Sequence, residues 1–335
     1  MIDVGVIGAS GFTGLELLKI LITHPKFNIN YIATSEGTNS VLDLHPSLCG
    51  LLDMSVKKVD IKEIASSSKL VFLALPHKTS MKFAKELLEL GVKVVDLSAD
   101  YRLKLETYEK HYCSHIDKEH LKDAVYGLPE MYREDIKKSS LVANPGCYPT
   151  ASILGLLPFV DFIDENFPIF IDAKSGVAGA GKKCTESTHY VSINENIFAY
   201  APFSHRHEPE ITEKLYLKSG KMFDINFVPH LIPATRGEMI DSYMLLKEEI
   251  NPILVLKEYY KDEKFIRIFE KPVDIKSCSG TNFCDIFAKV KGKKLYINST
   301  VDNILRGSSS QAVANANLMC GFDEGLGVPT IAYVP

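Results

Sequence analysis

The sequence predicts an α/β protein in two parts: a parallel sheet covered by helices on both faces, then an α+β domain. Three observations carry this. Apolar strands alternate with helix-period segments over roughly the first 147 residues. A glycine-rich turn stands between the first strand and the first helix. Beyond residue 160, strands follow one another with a single helix among them. Apolar strands separated by helices need a parallel sheet buried on both faces, whereas consecutive strands favour antiparallel or mixed pairing. A chain of 335 residues with 46% hydrophobic content is long enough for two cores.

Ile2-Asp3-Val4-Gly5-Val6-Ile7 reads as a short strand running into Gly8-Ala9-Ser10-Gly11-Phe12-Thr13-Gly14. A helix-period segment, residues 15–22, follows and is stopped by His24-Pro25. Strand, glycine turn and helix in this order lay a dinucleotide pyrophosphate over the N–H groups of the helix start, the Rossmann-type arrangement. The spacing is G-x-x-G-x-x-G, not the commoner G-x-G-x-x-G. A second strand, residues 29–33, ends in Thr34-Ser35-Glu36-Gly37. NAD enzymes usually place an acidic residue at this tip for the ribose 2′-hydroxyl. Here hydroxyls come first and suit a 2′-phosphate, which favours NADP (NADPH) over NAD, although Glu36 stands beside them. Strands at 70–74 and 92–97 flank a helix at 80–90. Their C-terminal ends, where open α/β sheets bind ligands, carry Leu75-Pro76-His77 and Asp96-Leu97-Ser98-Ala99-Asp100-Tyr101-Arg102.

The heptapeptide Asn144-Pro145-Gly146-Cys147-Tyr148-Pro149-Thr150 sets one cysteine apart from the other six. It lies between an apolar strand (Leu141-Val142-Ala143) and an apolar helical run, residues 151–160, entered through Pro149. A thiol at a helix start meets unpaired N–H groups and the positive end of the helix dipole, which favour the thiolate. Strands are then expected at 169–172, 224–228, 239–246, 282–290 and 294–300, with a helix at 252–260 and a final helix at 310–320. Three further groups stand out. Lys174-Ser175-Gly176-Val177-Ala178-Gly179-Ala180-Gly181-Lys182 can present N–H donors to an anion or amide. His205-Arg206-His207-Glu208-Pro209-Glu210 packs five ionisable residues into six, enough for a base, an anion clamp and an orienting carboxylate. Arg236-Gly237 offers a second guanidinium for a carboxylate or phosphate.

Composition excludes other classes. A net charge of −4 without a basic block argues against nucleic acid and anionic membranes as partners, and no apolar run approaches the ~20 residues that span a bilayer. Seven cysteines, with no C-x-x-C pair and no His/Cys cluster at zinc spacing, point to reduced thiols and no metal site. The first residues lack a signal-peptide pattern. A cytoplasmic enzyme is expected.

Together these segments resemble the N-acetyl-gamma-glutamyl-phosphate reductase family, arginine-pathway relatives of aspartate-semialdehyde dehydrogenase. The resemblance runs nearly end to end. Besides the glycine loop and the cysteine heptapeptide it includes His45-Pro46, Leu75-Pro76-His77, the segment 96–102 and Tyr126-Gly127-Leu128-Pro129-Glu130. It continues through Lys174-Ser175-Gly176, His205-Arg206-His207, Pro209-Glu210-Ile211 and residues 307–317. Ser310 and Ala178 depart from the usual Gly and Ser.

The resemblance implies a semialdehyde dehydrogenase / glyceraldehyde-3-phosphate dehydrogenase-like fold. An NADP-binding Rossmann domain would occupy 1–147 and a catalytic and dimerisation domain 148–306, with 307–335 returning as a helix to the first. It implies NADPH-dependent reduction of N-acetyl-L-glutamyl 5-phosphate to the 5-semialdehyde and phosphate through a thioester on Cys147. His205 would be the acid/base, oriented by Glu210, and His207 would pack or contact substrate. Gly8, Ser10, Gly11, Phe12, Thr13, Gly14, Thr34, Ser35, Pro76, Ser175, Gly176 and Asn315 would bind the coenzyme. Arg102, Asn144, Lys174 and Arg236 would bind the acyl-phosphate substrate. A homodimer or homotetramer is implied. The alternatives are the lysine-pathway acylaminoadipyl-phosphate reductase and a non-catalytic coenzyme-binding sensor.

Overall fold

A computed structural model describes residues 1–333, which fall into two units. One comprises 1–146 and 308–329; the other comprises 147–307 and the residues from 330. The chain thus passes between units at Gly146/Cys147 and at Gly307/Ser308.

The first unit holds seven strands: β1 (Ile2–Ile7), β2 (Phe27–Thr34), β3 (Lys57–Lys58), β4 (Leu70–Leu73), β5 (Lys93–Asp96), β6 (Val125–Tyr126) and β7 (Leu141–Ala143). They pair in the order β3-β2-β1-β4-β5-β7-β6, every pair parallel. All four residues of β4 and all three of β7 are buried, as helices on both faces require. Order reverses at β1, so the loop after β1 opens at the switch point, where α/β sheets take ligands. The helix Ser309–Met319 is buried along its whole length and packs beside helix Phe12–Ile22.

The second unit is built on β8 (Ile169–Gly176), β9 (Phe198–Ala199), β10 (Ile225–Ile232), β11 (Glu238–Leu245), β12 (Ile266–Ile268), β13 (Cys284–Lys291) and β14 (Lys294–Val301). Their order, β12-β13-β14-β11-β8-β10-β9, mixes parallel and antiparallel pairs. Helix Cys147–Leu156 lies on one face of this sheet, with residues 148–156 buried. Gly155 permits the approach: a Cβ there would stand 3.2 Å from Ile297. Ser299 Oγ fastens the helix by donating to the Ala151 carbonyl at 3.0 Å.

Local differences from the sequence reading have physical causes. The first helix begins at Phe12, so Thr13 and Gly14 belong to it and not to the turn. β10 runs through Pro229 to Ile232, beyond the expected stop at 228. A proline has no N–H to give a ladder, so it reads as a strand end. β10 tolerates it because its neighbour β9 pairs only with His230 and Leu231.

Candidate active site

The candidate coenzyme cradle is a matter of glycine geometry. Gly8 has φ of +92°, and a Cβ on it would meet the Ala74 carbonyl oxygen at 2.2 Å. A Cβ on Gly14 would stand 2.6 Å from the Gly8 carbonyl oxygen, so the helix start can press onto the loop only with glycine there. Gly11 differs: nothing lies within 4 Å of its Cβ position. It is the N-cap of helix Phe12–Ile22, which has no side-chain cap and no acid in its first turn. Unfilled N–H groups and open space at a helix start suit a pyrophosphate, so these residues fit a dinucleotide. His45 braces the loop, its Nε2 2.6 Å from the Ala9 carbonyl, and Ser309 Oγ donates to the Thr13 carbonyl at 3.1 Å. Ser10 and Phe12 are exposed beside it. At the tip of β2, Thr34 Oγ1 accepts from the Gly37 N–H at 3.0 Å and shapes the turn, leaving Ser35 and Glu36 exposed. Pro76 is exposed after β4, while His77 Nδ1 accepts the Ala99 N–H at 2.8 Å.

Arg102, Asn144 and Asn315 are brought together in this unit, as a buried brace. Arg102 donates from Nε to the Asn144 carbonyl at 2.7 Å and from Nη2 to the Leu97 carbonyl at 2.8 Å. Asn144 donates to the Ser308 carbonyl at 3.0 Å, and its side-chain oxygen accepts from Asn315 Nδ2 at 3.0 Å. Asn315 also donates to the Gly127 carbonyl at 2.9 Å. These bonds hold the backbone at both chain crossings.

In the second unit Cys147 is the first residue of its helix and half-buried. Gly307 lies against it: a Cβ on Gly307 would be 2.6 Å from the Cys147 Cβ. The neighbouring Tyr148 ring stands edge-on to His205 and His207, with centroids 5.7 Å away in each case, and to Phe227 at 5.3 Å. Its hydroxyl meets the Tyr200 hydroxyl at 3.0 Å. The His205 and His207 rings are 4.8 Å apart. Burial among these rings, then the Arg206 charge, lowers the His205 pKa to about 4. His205 Nδ1 accepts the His207 N–H at 3.2 Å, which assigns the proton of the neutral ring to Nε2. Glu210 is buried in the first turn of helix Glu208–Ser219.

Ser175, Gly176 and Arg236 meet at the end of β8. Asn303 Nδ2 donates to Ser175 Oγ and to the Gly176 carbonyl, both at 3.1 Å, and its oxygen accepts the Gly237 N–H at 2.9 Å. A Cβ on Gly176 would stand 2.8 Å from the Arg236 backbone. Arg236 Nε lies 3.5 Å from Asp302 and its guanidinium sits over the Tyr333 ring. Lys174 is not brought to this group. Along β8, Ile171, Ala173 and Ser175 are buried while Asp172 and Lys174 face the other side. There Lys174 Nζ pairs with Asp172 and Asp241, each at 2.7 Å. Burial alone would lower its pKa, but these carboxylates raise it on balance.

Sequence reasoning missed Glu238, the first residue of β11, which is fully buried. Burial pushes its carboxyl up to about 8, with the Cys147 thiol acting in the opposite sense. The signal was present: period-2 alternation puts residues 238, 240 and 242 on the buried face, and a glutamate there is unusual.

Comparison with known proteins is consistent across the chain. A family described as "Semialdehyde dehydrogenase, NAD binding domain" matches residues 3–139, and "Semialdehyde dehydrogenase, dimerisation domain" matches 147–303. A protein of Sulfurovum sp. (strain NBC37-1) named N-acetyl-gamma-glutamyl-phosphate reductase is 60% identical over all of both chains. One of the same name from Wolinella succinogenes is 57% identical over 100% of this chain and 99% of its own. Another from Methanococcus maripaludis (strain C5) is 41% identical over 98% of each. Among solved structures, aspartate semialdehyde dehydrogenase II from Vibrio cholerae, complexed with ASA, has a TM-score of 0.74 at 16% identity, covering 96% of this chain and 98% of that one. Aspartate semialdehyde dehydrogenase with NADP from Candida albicans has 0.71 at 14% identity, over 96% and 98%. Matches at this identity establish the fold, and the near relatives establish the rest: the chain belongs to the N-acetyl-gamma-glutamyl-phosphate reductase family, with the semialdehyde dehydrogenase NAD-binding and dimerisation domains.

Proposed function

We propose that the chain reduces N-acetyl-L-glutamyl 5-phosphate to N-acetyl-L-glutamate 5-semialdehyde and phosphate, using NADPH and a thioester on Cys147. The observation that supports it most is the aromatic–imidazole cluster built on Tyr148, the residue next to Cys147. When bound, the reduced nicotinamide supplies the hydride. Gly8, Gly11 and Gly14 with the helix start would hold its pyrophosphate, and Ser35 the 2′-phosphate. The remaining chemistry falls to side chains. The Cys147 sulfur attacks the acyl carbon and phosphate leaves, so the acyl group stays on sulfur. A thiolate suits this because it is a strong nucleophile near neutral pH. His205, neutral with its proton on Nε2, donates to the oxygen as negative charge develops there, and takes the proton back as the aldehyde forms and sulfur departs. Arg236 is the guanidinium for an anionic substrate group, while Arg102 and Asn144 hold the backbone that presents Cys147.

A homodimer or homotetramer completes the reading. On the sheet face that carries Lys174, Phe167, Phe170 and Tyr243 are about half-exposed around an apolar groove of about 560 Å³, a surface that suits a second copy. The test is phosphate-dependent NADP reduction with N-acetylglutamate semialdehyde against its aminoadipate homologue. The glutamyl compound should be preferred, and Cys147→Ser should abolish turnover while leaving NADPH binding nearly intact. Retention of more than a few percent of activity in that variant sinks the thioester route.

A further inference from the structure

Glu238 is a carboxylate in a place where carboxylates are costly. It opens β11, opposite Ser175 on β8 and Val301 on β14, and none of its surface reaches solvent. Neither of its oxygens has a hydrogen-bond partner among the described residues. Asp302, buried nearby, is satisfied by contrast: it accepts the N–H groups of Gly280, Ile304 and Leu305 and sits beside Arg236. An unsatisfied buried carboxylate costs several kcal/mol as an order of magnitude, so a glutamate here calls for a purpose beyond packing. Among the described residues, the Cys147 thiol is the one group beside it that favours its carboxylate form, without completing a hydrogen bond to either oxygen. The other ionisable groups around it are Tyr148 on the Cys147 helix, Tyr200 after β9, Asp302 after β14 and Arg236 in the turn before β11. The tyrosines are held neutral by burial, and Asp302 faces Arg236.

We propose that Glu238 is the proton partner of Cys147: its carboxylate takes the thiol proton as sulfur attacks the acyl carbon, and its carboxyl returns that proton to sulfur when the aldehyde is released. The S–H bond breaks as the O–H bond forms, and the reverse transfer regenerates the starting pair, with no net proton and no oxidant or reductant. A carboxyl pushed up to about 8 by burial is near a thiol in proton affinity, so the proton can pass either way with little bias. The carboxylate form grows as pH rises through about 8. His205, at about 4, does not titrate in that window. The inference rests on Cys147 being the nucleophile.

The test is single-turnover phosphate release as a function of pH in the wild type and in Glu238→Gln, which keeps the shape but cannot take a proton. Release in the wild type should rise through about pH 8. The variant should lose this limb and fall about 100-fold or more in kcat, with little change in KM, and Glu238→Asp should restore part of both. A limb that survives in the variant belongs to Cys147 alone and overturns the inference, as does a lower rate with an unchanged profile. A second measurement needs no variant. The infrared band of a protonated carboxyl in the wild-type protein should fade through pH 8 and shift when Cys147 is alkylated; a band indifferent to alkylation overturns the inference too. If Cys147→Ser stays active, the thioester reading has failed; if it is dead while Glu238→Gln behaves as the wild type, only the role of Glu238 has.

Discussion

His205→Asn should flatten the acid side of the stability curve. The imidazole is packed between Tyr148, Tyr200, His207 and Phe227, and its pKa falls from 6.5 to about 4, chiefly through burial and then through Arg206. The unfolded chain therefore binds this proton more readily than the folded one. Stability from the neutral ring is fully present above pH 6.5 and is lost as pH falls toward 4. At about 1.4 kcal/mol per pH unit the full loss is ~3 kcal/mol, and about 2 kcal/mol of it has occurred by pH 5. For a unit of this size that is a shift of roughly 4–8 °C in Tm. Calorimetric scans at pH 7.5 and pH 5 measure it. Other groups titrate in the same range, so the quantity is the difference of differences. The wild type should lose about 2 kcal/mol more than the variant between the two pH values, whatever the variant's baseline. Equal losses in both proteins would refute the claim that this partly buried ring is held in its neutral form, and with it the assignment of the resting proton to Nε2.

Kinetics separate the two histidines: His205→Asn should lower kcat by about 10²–10⁴-fold with little effect on NADPH affinity, whereas His207→Asn should act mainly on KM; a larger kcat loss at His207 reverses the roles. Gly14→Val forces a side chain to within 2.6 Å of the Gly8 carbonyl and should cost about 1–3 kcal/mol of stability, along with NADPH binding measured by fluorescence; normal binding would mean that the loop does not hold the coenzyme as described. Ser35→Ala should weaken NADPH about tenfold, the worth of one hydrogen bond to a charged group, and leave NADH unchanged; comparable efficiency with both coenzymes in the wild type would shift the choice to Glu36.

Much of this was legible because the strongest signals are local. Gly8 and Gly14 mark a backbone that must bend and approach closely, and the apolar runs of β1, β4 and β5 read as strands buried in a covered sheet. Strands of two or three residues, such as β3, β6 and β12, have no period to detect, and tertiary pairing alone makes them. Lys174 and Ser175 read as one loop offering donors to one ligand, yet period-2 geometry sends adjacent strand residues to opposite faces. Recognising that β8 continues to Gly176 would have parted them. Glu238 was missed for another reason. A lone glutamate is taken as solvated by default; the alternation of residues 238, 240 and 242 hints at burial, and the sheet register, which brings β11 between β8 and β14, makes it plain.

The return of helix Ser309–Met319 to the first sheet bears on how this molecule is made. His24 near the start bonds to the Leu326 carbonyl at 2.8 Å across 302 residues, and all eleven residues of the returning helix are buried. During synthesis, residues 1–146 emerge long before the segment that closes their core exists. The nascent first unit must therefore wait with apolar surface uncovered while the whole second unit is translated. Contacts this distant in sequence slow folding and prolong exposure to aggregation. The second unit, nearly continuous in sequence, is under no such delay, so it should reach its native state first although its synthesis starts later.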